Sequence, residues 1–397
     1  MISSRSTALP KRGAATLRRI NTPLLPCVVA FFVASLFTWI QLRHVNFDPR
    51  WFIGAGKGWA DGRVLGKGFP IAKNDVGFDG QFYYRLAINP FTSTRTAHGI
   101  TLDAPSYRQQ RIFYPFLAWV FSLGQKAMVP WSLIAVNVLA FCVIGYMGGW
   151  WAKALGCHAF WGVLLLFHLG YIFSFLNTLT EIVEIACLLV ALAFLHRKHW
   201  MAAGIAFSLA ILSKETALPF AFTAAVFVLG QAIWHREKPE RATLWLLLPL
   251  AVYASVQIIL TAVWGQLPAA ANTGNLHYPF EVLVPSLLAL LRSAETFLDI
   301  VALEMWLCAL FIIAACFRLP KSAVSLSVKV GWVLCVVLFV SLSSVFFDRD
   351  IHFTRAFSET YIIGLLFFLA ASLRVRSLLL IVSVSACLFR SSIPYIR

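Results

Sequence analysis

Apolar runs long enough to cross a bilayer, which takes roughly 20 residues, recur along this chain between short polar turns and one long polar stretch. The first run, 23–42, follows a tail carrying Arg5, Lys11, Arg12, Arg18 and Arg19 without an acid. It is too long for the core of a cleaved signal and lacks a small-residue cleavage site, so it reads as a signal anchor with residues 1–22 in the cytoplasm. Residues 43–111 follow, the most polar part of the chain and expected on the far side. Short amphipathic pieces at 48–59 and 81–88 read as interfacial helices. Apolar runs then resume at 112–124, 130–151, 160–176, 182–195, 202–212, 221–234, 242–264, 300–317, 324–344, 361–373 and 378–388, with a further interfacial piece at 281–295.

Basic residues give these runs a direction. They cluster at 196–200, at 235–241, at Arg318 and Lys321, and at Arg374 and Arg376, all in short loops that the positive-inside rule assigns to the cytoplasm. Counting every run as a crossing puts 196–200 on the wrong side. Treating 112–124 as a half-crossing or interfacial helix repairs this and leaves about ten spans of the usual length. The expectation is an all-α, polytopic transmembrane bundle, one membrane domain over 1–397, in an inner (cytoplasmic) membrane of bacterial type. Its membrane-embedded part occupies 112–397 after the anchor. Five polar patches then face the extracytoplasmic side together: 43–111, 177–184, 213–216, 272–281 and 346–359.

Composition agrees and removes some partners. Residues are 60% hydrophobic and 13% charged, where a soluble domain has about a quarter charged. The formal charge of +16 looks like a nucleic-acid signature, but no aromatic-interleaved soluble module accompanies it, so no nucleic acid is expected. Eight cysteines lie nearly all in apolar runs without a CxxC. They read as small hydrophobes, with neither zinc nor a disulfide framework implied. There is no glycine-rich phosphate loop, and the residues indicate no cofactor.

The candidate chemistry starts at GFDGQFYYR, residues 77–85. Asp79 sits between two glycines, which let backbone approach a ligand. Gln81, Tyr83, Tyr84 and Arg85 follow, as apolar faces with polar tips and a phosphate-clasping guanidinium. Asp79 is either a general base or an acid that starts a helix at residue 80. Arg108 and Arg111, three apart and on one helical face, either snorkel to lipid headgroups or cradle a lipid-borne phosphate with Arg85. Glu181 and Glu184 are also three apart; one could pair with an arginine of the first polar segment while the other starts a helix. Lys214 and Glu215 are either a local pair or leave Lys214 to an anionic substrate. In 346–359, Asp348, Arg349, Asp350, His352, Arg355 and Glu359 crowd together. The DxD raises a divalent metal or sugar-phosphate site, and a solvated loop explains it equally. Arg355 and Glu359, four apart, are expected to pair. His277 and His352 are single loop histidines.

Together these motifs resemble the GT-C class of glycosyltransferases, which take sugar from polyprenyl- or dolichyl-phosphate carriers outside the cytoplasm. FDGQFYYRLA is similar to the WDGxHYxxIA type of motif in the GPI-anchor mannosyltransferase II family. RIFYPFLAW is similar to its FPLYPLL, TLTEIVE to its YTESLF, and LSKETALP to its TRSxGL. Phe78 replaces a tryptophan and Lys214 an arginine. The resemblance covers residues 40–235. It implies transfer of a sugar, mannose in that family, from a polyprenyl-phosphate donor to a glycan, lipid or protein acceptor, with Asp79 as base. Arg85, Arg108, Arg111, Lys214 and Arg355 would be the candidates for holding the phosphate. A rival reading is a transporter or flippase for a lipid-linked or anionic substrate, which would use membrane acids and arginines equally well.

Overall fold

The computed structural model describes residues 21–73, 76–234, 240–271, 273–292, 300–347 and 350–392. The basic tail from Arg5 to Arg19, most of the 235–241 cluster, and the Asp348 and Arg349 of the DxD motif lie outside the described residues.

Helix dominates, as the apolar periodicity requires. Among the described residues four helical stretches are long and apolar enough to cross a membrane: Leu24–His44, Lys126–Ala154, Arg241–Trp264 and Leu303–Lys321. A pair bent by 62°, Ala159–Leu166 with Leu169–Leu176, makes a fifth if counted as one span. Trp200–Ser213, Glu215–Gln231, Leu326–Val340 and Ser358–Leu369 are apolar but shorter. This is the build of a helical membrane protein. The expected ten spans are not matched by ten full-length helices among the described residues: one apolar run is bent, and four of the apolar helices have only 10–17 residues. The last run, read as short, belongs to a 20-residue helix, Leu373–Ser392, whose Arg374, Arg376 and Arg390 hid its length. Helix Phe113–Phe121 has nine residues, about 14 Å at 1.5 Å per residue, half of the roughly 30 Å hydrocarbon thickness.

Part of the first polar segment folds onto the bundle. Helix Gly80–Ile88 is buried from Gly80 through Ala87, so it has no wet face and is not the expected interfacial helix. Aromatic rings surround it: Phe82 meets Trp59, Tyr83 meets Tyr114 and Tyr84 meets Phe69, with centroids about 6 Å apart. The flanking glycines serve this packing. A Cβ on Gly80 would stand 2.0 Å from the Asn177 carbonyl oxygen. Gly77 has φ +80°, and a Cβ there would stand 2.4 Å from the Gly56 nitrogen. The close approach that glycine permits is therefore to the chain's own backbone. One two-stranded hairpin, Thr96–Ala97 with Ile100–Thr101, departs from the all-α expectation. It turns on His98 and Gly99, both with positive φ, which suits strand twist.

Candidate functional site

Asp79 stands at the start of helix Gly80–Ile88 but does not cap it. Its own backbone is helical, and its side chain makes no capping hydrogen bond. The carboxylate turns instead to two guanidinium groups. Arg108 Nη1 lies 3.0 Å from Oδ1, and Arg355 Nη2 lies 3.1 Å from Oδ2. Short helix Pro105–Gln109 presents Arg108, begun by a proline whose fixed φ suits a first turn. Asp103, just ahead of that helix, clasps Arg108 from the other side through Nε and Nη2 at 2.8 and 2.7 Å, and Phe82 lies under its guanidinium. The Asp79 side chain remains 23% exposed, against 10% and 11% for its two arginines. A partly wet acid thus lies in a wall of buried cations.

Behind Asp79 the ion pairs continue inward. Arg355 donates from Nε and Nη2 to Glu181 Oε1 at 3.0 and 2.8 Å, and Ser174 donates to the other Glu181 oxygen at 3.0 Å. Lys214 Nζ reaches Glu359 Oε1 at 2.9 Å and stands 3.9 Å from Glu181. Thr216 also donates to Glu359. To one side, Arg111 makes a two-point clasp on Glu215, with Nε to Oε2 at 2.8 Å and Nη2 to Oε1. The Tyr107 hydroxyl accepts from the same guanidinium, and the Tyr83 hydroxyl lies 3.5 Å from it. Such two-point arginine–carboxylate pairs are strong and fix orientation.

These contacts re-pair the ions expected from local spacing. Arg355 and Glu359 are not partners: the helix breaks at Phe357, between Asp350–Ala356 and Ser358–Leu369, and each finds a distant partner. Lys214 and Glu215 do not pair either, because the extended backbone of Lys214, φ −162° and ψ 130°, sends adjacent side chains apart. Glu181 pairs with Arg355 of the fifth patch rather than with an arginine of the first. Four of the five polar patches therefore converge. The 272–281 patch docks elsewhere, on the end of helix Leu326–Val340, through His277 N–H to Ser341 O and Phe280 N–H to Val340 O.

Three candidates of the first motif stand apart from this cluster. Gln81 pins its own loop, accepting from Gly56 N–H at 3.2 Å and donating to Val76 O at 2.9 Å. Tyr84 packs on Phe69, and burial, barely offset by Arg50, pushes its hydroxyl up to about 12. Arg85 is fully buried and donates to Thr92 and Thr94 at 2.8 and 3.3 Å. Sequence reasoning did not single out Asp103, nor Tyr107 and Thr216, although these two lie beside Arg108 and Lys214 in the segments it used. The two glutamines between the arginines of 107–111 were also silent. They tie this segment to helix Leu248–Trp264: Gln109 accepts from Trp264 at 2.7 Å, and Gln110 accepts from Gln257 at 3.0 Å.

The electrostatics of Asp79 follow from this geometry. Burial alone would raise its pKa, but Arg108, Arg355 and Arg111 outweigh burial and hold it well below the usual carboxylate range. Burial likewise disfavours charge on Arg108, yet Asp79 and Asp103 hold it firmly protonated. The Tyr107 hydroxyl is pushed up to about 12 by burial, despite the Arg111 beside it. The site thus offers an ionised acid, fixed cations and a neutral phenol at Tyr107. Among the described residues no group of three or more His, Cys, Asp or Glu is arranged to hold a metal. Comparison of the chain with protein families, with curated proteins and with solved structures returns no match.

Proposed function

We propose that this chain is an integral-membrane glycosyltransferase of GT-C type. It transfers a sugar, with mannose the first candidate, from a polyprenyl-phosphate donor to an extracytoplasmic acceptor. In this reading the chain makes about ten crossings, several of them broken or shortened relative to the roughly 20-residue norm, with its N-terminus in the cytoplasm and Asp79 on the opposite face of an inner membrane. One observation carries the reading: a partly exposed carboxylate held by two arginines from opposite ends of the chain, Arg108 and Arg355.

In this mechanism the acceptor hydroxyl oxygen attacks the anomeric carbon of the donor. The new C–O bond forms as the bond from that carbon to the phosphate oxygen breaks, and its electron pair leaves on the phosphate. Asp79 takes the hydroxyl proton, and the arginines offset the growing phosphate charge. A carboxylate clasped by two guanidinium groups is ionised but weakly basic. Donor binding answers this, because the phosphate competes for the same cations. Arg108 keeps Asp103 and Arg355 keeps Glu181 when they turn toward it, so Asp79 regains basicity without leaving a cation unpaired.

The test is Asp79→Asn in purified protein incubated with polyprenyl-phosphate sugars and candidate acceptors. Transfer should fall by about 10²–10⁴, the usual contribution of a general base, in protein that still inserts in the membrane. Retained transfer overturns the proposal. A second reading, a transporter or flippase, is favoured by the ladder of alternating charge that runs inward from Asp79 through Arg355, Glu181, Lys214 and Glu359. Movement of a labelled lipid-linked sugar across proteoliposomes without transfer would select it.

A further inference from the structure

The ladder ends on a residue that neither reading uses. Glu184 lies one turn beyond Glu181 on helix Glu181–His196 and is fully buried. Neither of its carboxyl oxygens has a hydrogen-bond partner among the described residues. Its carboxyl meets that of Glu359, the same group whose Oε1 accepts from Lys214 and Thr216. The other titratable groups facing it are Lys214, Glu181, Tyr171, Cys187 and Cys335. Lys214 is the one cation among these, and it is already engaged by Glu359 and shared with Glu181.

Two ionised carboxylates cannot face each other here. Glu359 keeps Lys214 and Thr216 as donors, but an ionised Glu184 would have none, and an unpaired buried charge is strongly unfavourable. A single proton resolves the contact, turning one acceptor into a donor. We infer that Glu184 and Glu359 share one proton, with Glu184 the carboxylic acid donating to the Glu359 carboxylate. The pair is a proton-binding site beneath the charge cluster. Its second role is positional: a singly charged pair gives Lys214 one fixed anchor at Glu359 and holds it under the Glu181–Arg355 contact. The inference holds whichever reaction the site performs, since it concerns the resting protein.

Infrared difference spectroscopy of the purified protein at neutral pH tests it without any activity assay. A protonated-carboxyl C=O band should be present, should shift to lower frequency in D2O, and should vanish in the Glu184→Gln variant. Gln keeps the shape and a hydrogen-bond donor, so its unfolding midpoint should stay close to that of the parent. Glu359→Gln leaves Lys214 without its anchor, and its midpoint should fall clearly below that of Glu184→Gln. Absence of the band in the unaltered protein overturns the inference. So does a band that survives unchanged in both variants, or a Glu184→Gln variant destabilised as much as Glu359→Gln.

Discussion

The clasp between Arg111 and Glu215 joins parts of the chain 104 residues apart, and removing it offers a direct measure of how the site is assembled. The side chains are 7% and 23% exposed. Replacing Glu215 with Gln leaves Arg111 with the Tyr107 and Tyr83 hydroxyls as its hydrogen-bond partners and no carboxylate among them. Breaking a buried pair by removing one partner costs roughly 3–5 kcal/mol, and the partial exposure of Glu215 places this case near the lower end, about 3. Arg111→Met alone strands a less buried carboxylate and should cost less. Removing both charges, as Arg111→Met with Glu215→Leu, should recover much of the loss, because no unpaired ion remains. The assay is reversible unfolding in mixed micelles, with SDS fraction as the denaturing variable, arranged as a double-mutant cycle. A coupling of about 2 kcal/mol or more is expected. Effects that simply add, to within about 0.5 kcal/mol, would refute the idea that this pair holds the 107–111 segment against the 213–216 tip.

Four further predictions concern the same region. Gly80→Ala drives a Cβ into the Asn177 carbonyl, an overpacking of backbone on backbone that should cost about 1–3 kcal/mol and misplace Asp79; an unfolding titration and a transfer assay both read it, and a fully active, fully stable variant would contradict the contact. The depressed pKa of Asp79 makes its share of stability complete above the unfolded aspartate value of about 3.9 and lost as pH falls further. The difference between parent and Asp79→Asn in unfolding should therefore stay flat from pH 8 down to about 4, and a difference that fades by pH 6 would show that the arginines do not hold this acid. If the donor phosphate draws the arginines away, the acid limb of kcat should lie at higher pH than that of kcat/KM, and coincident limbs would argue against that exchange. Reporter domains fused after residues 95, 214 and 352 should all sit on the extracytoplasmic side, and a cytoplasmic reading at 214 would separate Lys214 from Asp79.

Much of this arrangement is legible from residue order, and the failures have a common cause. Apolar periodicity gives the helices, and costly charges beside apolar runs identify Asp79, Arg108, Arg111, Glu181, Lys214, Glu215 and Arg355 as a set. The pairing within the set is not legible. Rules for neighbours three or four apart presume one unbroken helix, and the chain breaks at Phe357 and straightens at Lys214. Long-range partners then win, since a buried guanidinium gains more from a distant carboxylate in the interior than from a near one in water. Arg85 misleads for a related reason. Being close in sequence to Asp79 suggests a shared ligand, but six residues of helix carry it toward Thr92 and Thr94 instead.

The contact of Gly80 with Asn177 sets a rule for anyone building hybrids of this protein. The turn at Asn177 runs straight into the helix that carries Glu181, so the polar segment and that turn are fitted as lock and key. Residues 43–111 grafted alone onto a foreign scaffold would arrive with a bare glycine facing the wrong surface and an aspartate that keeps Arg108 but has lost Arg355. Carried together with residues 173–184, they bring their own docking face.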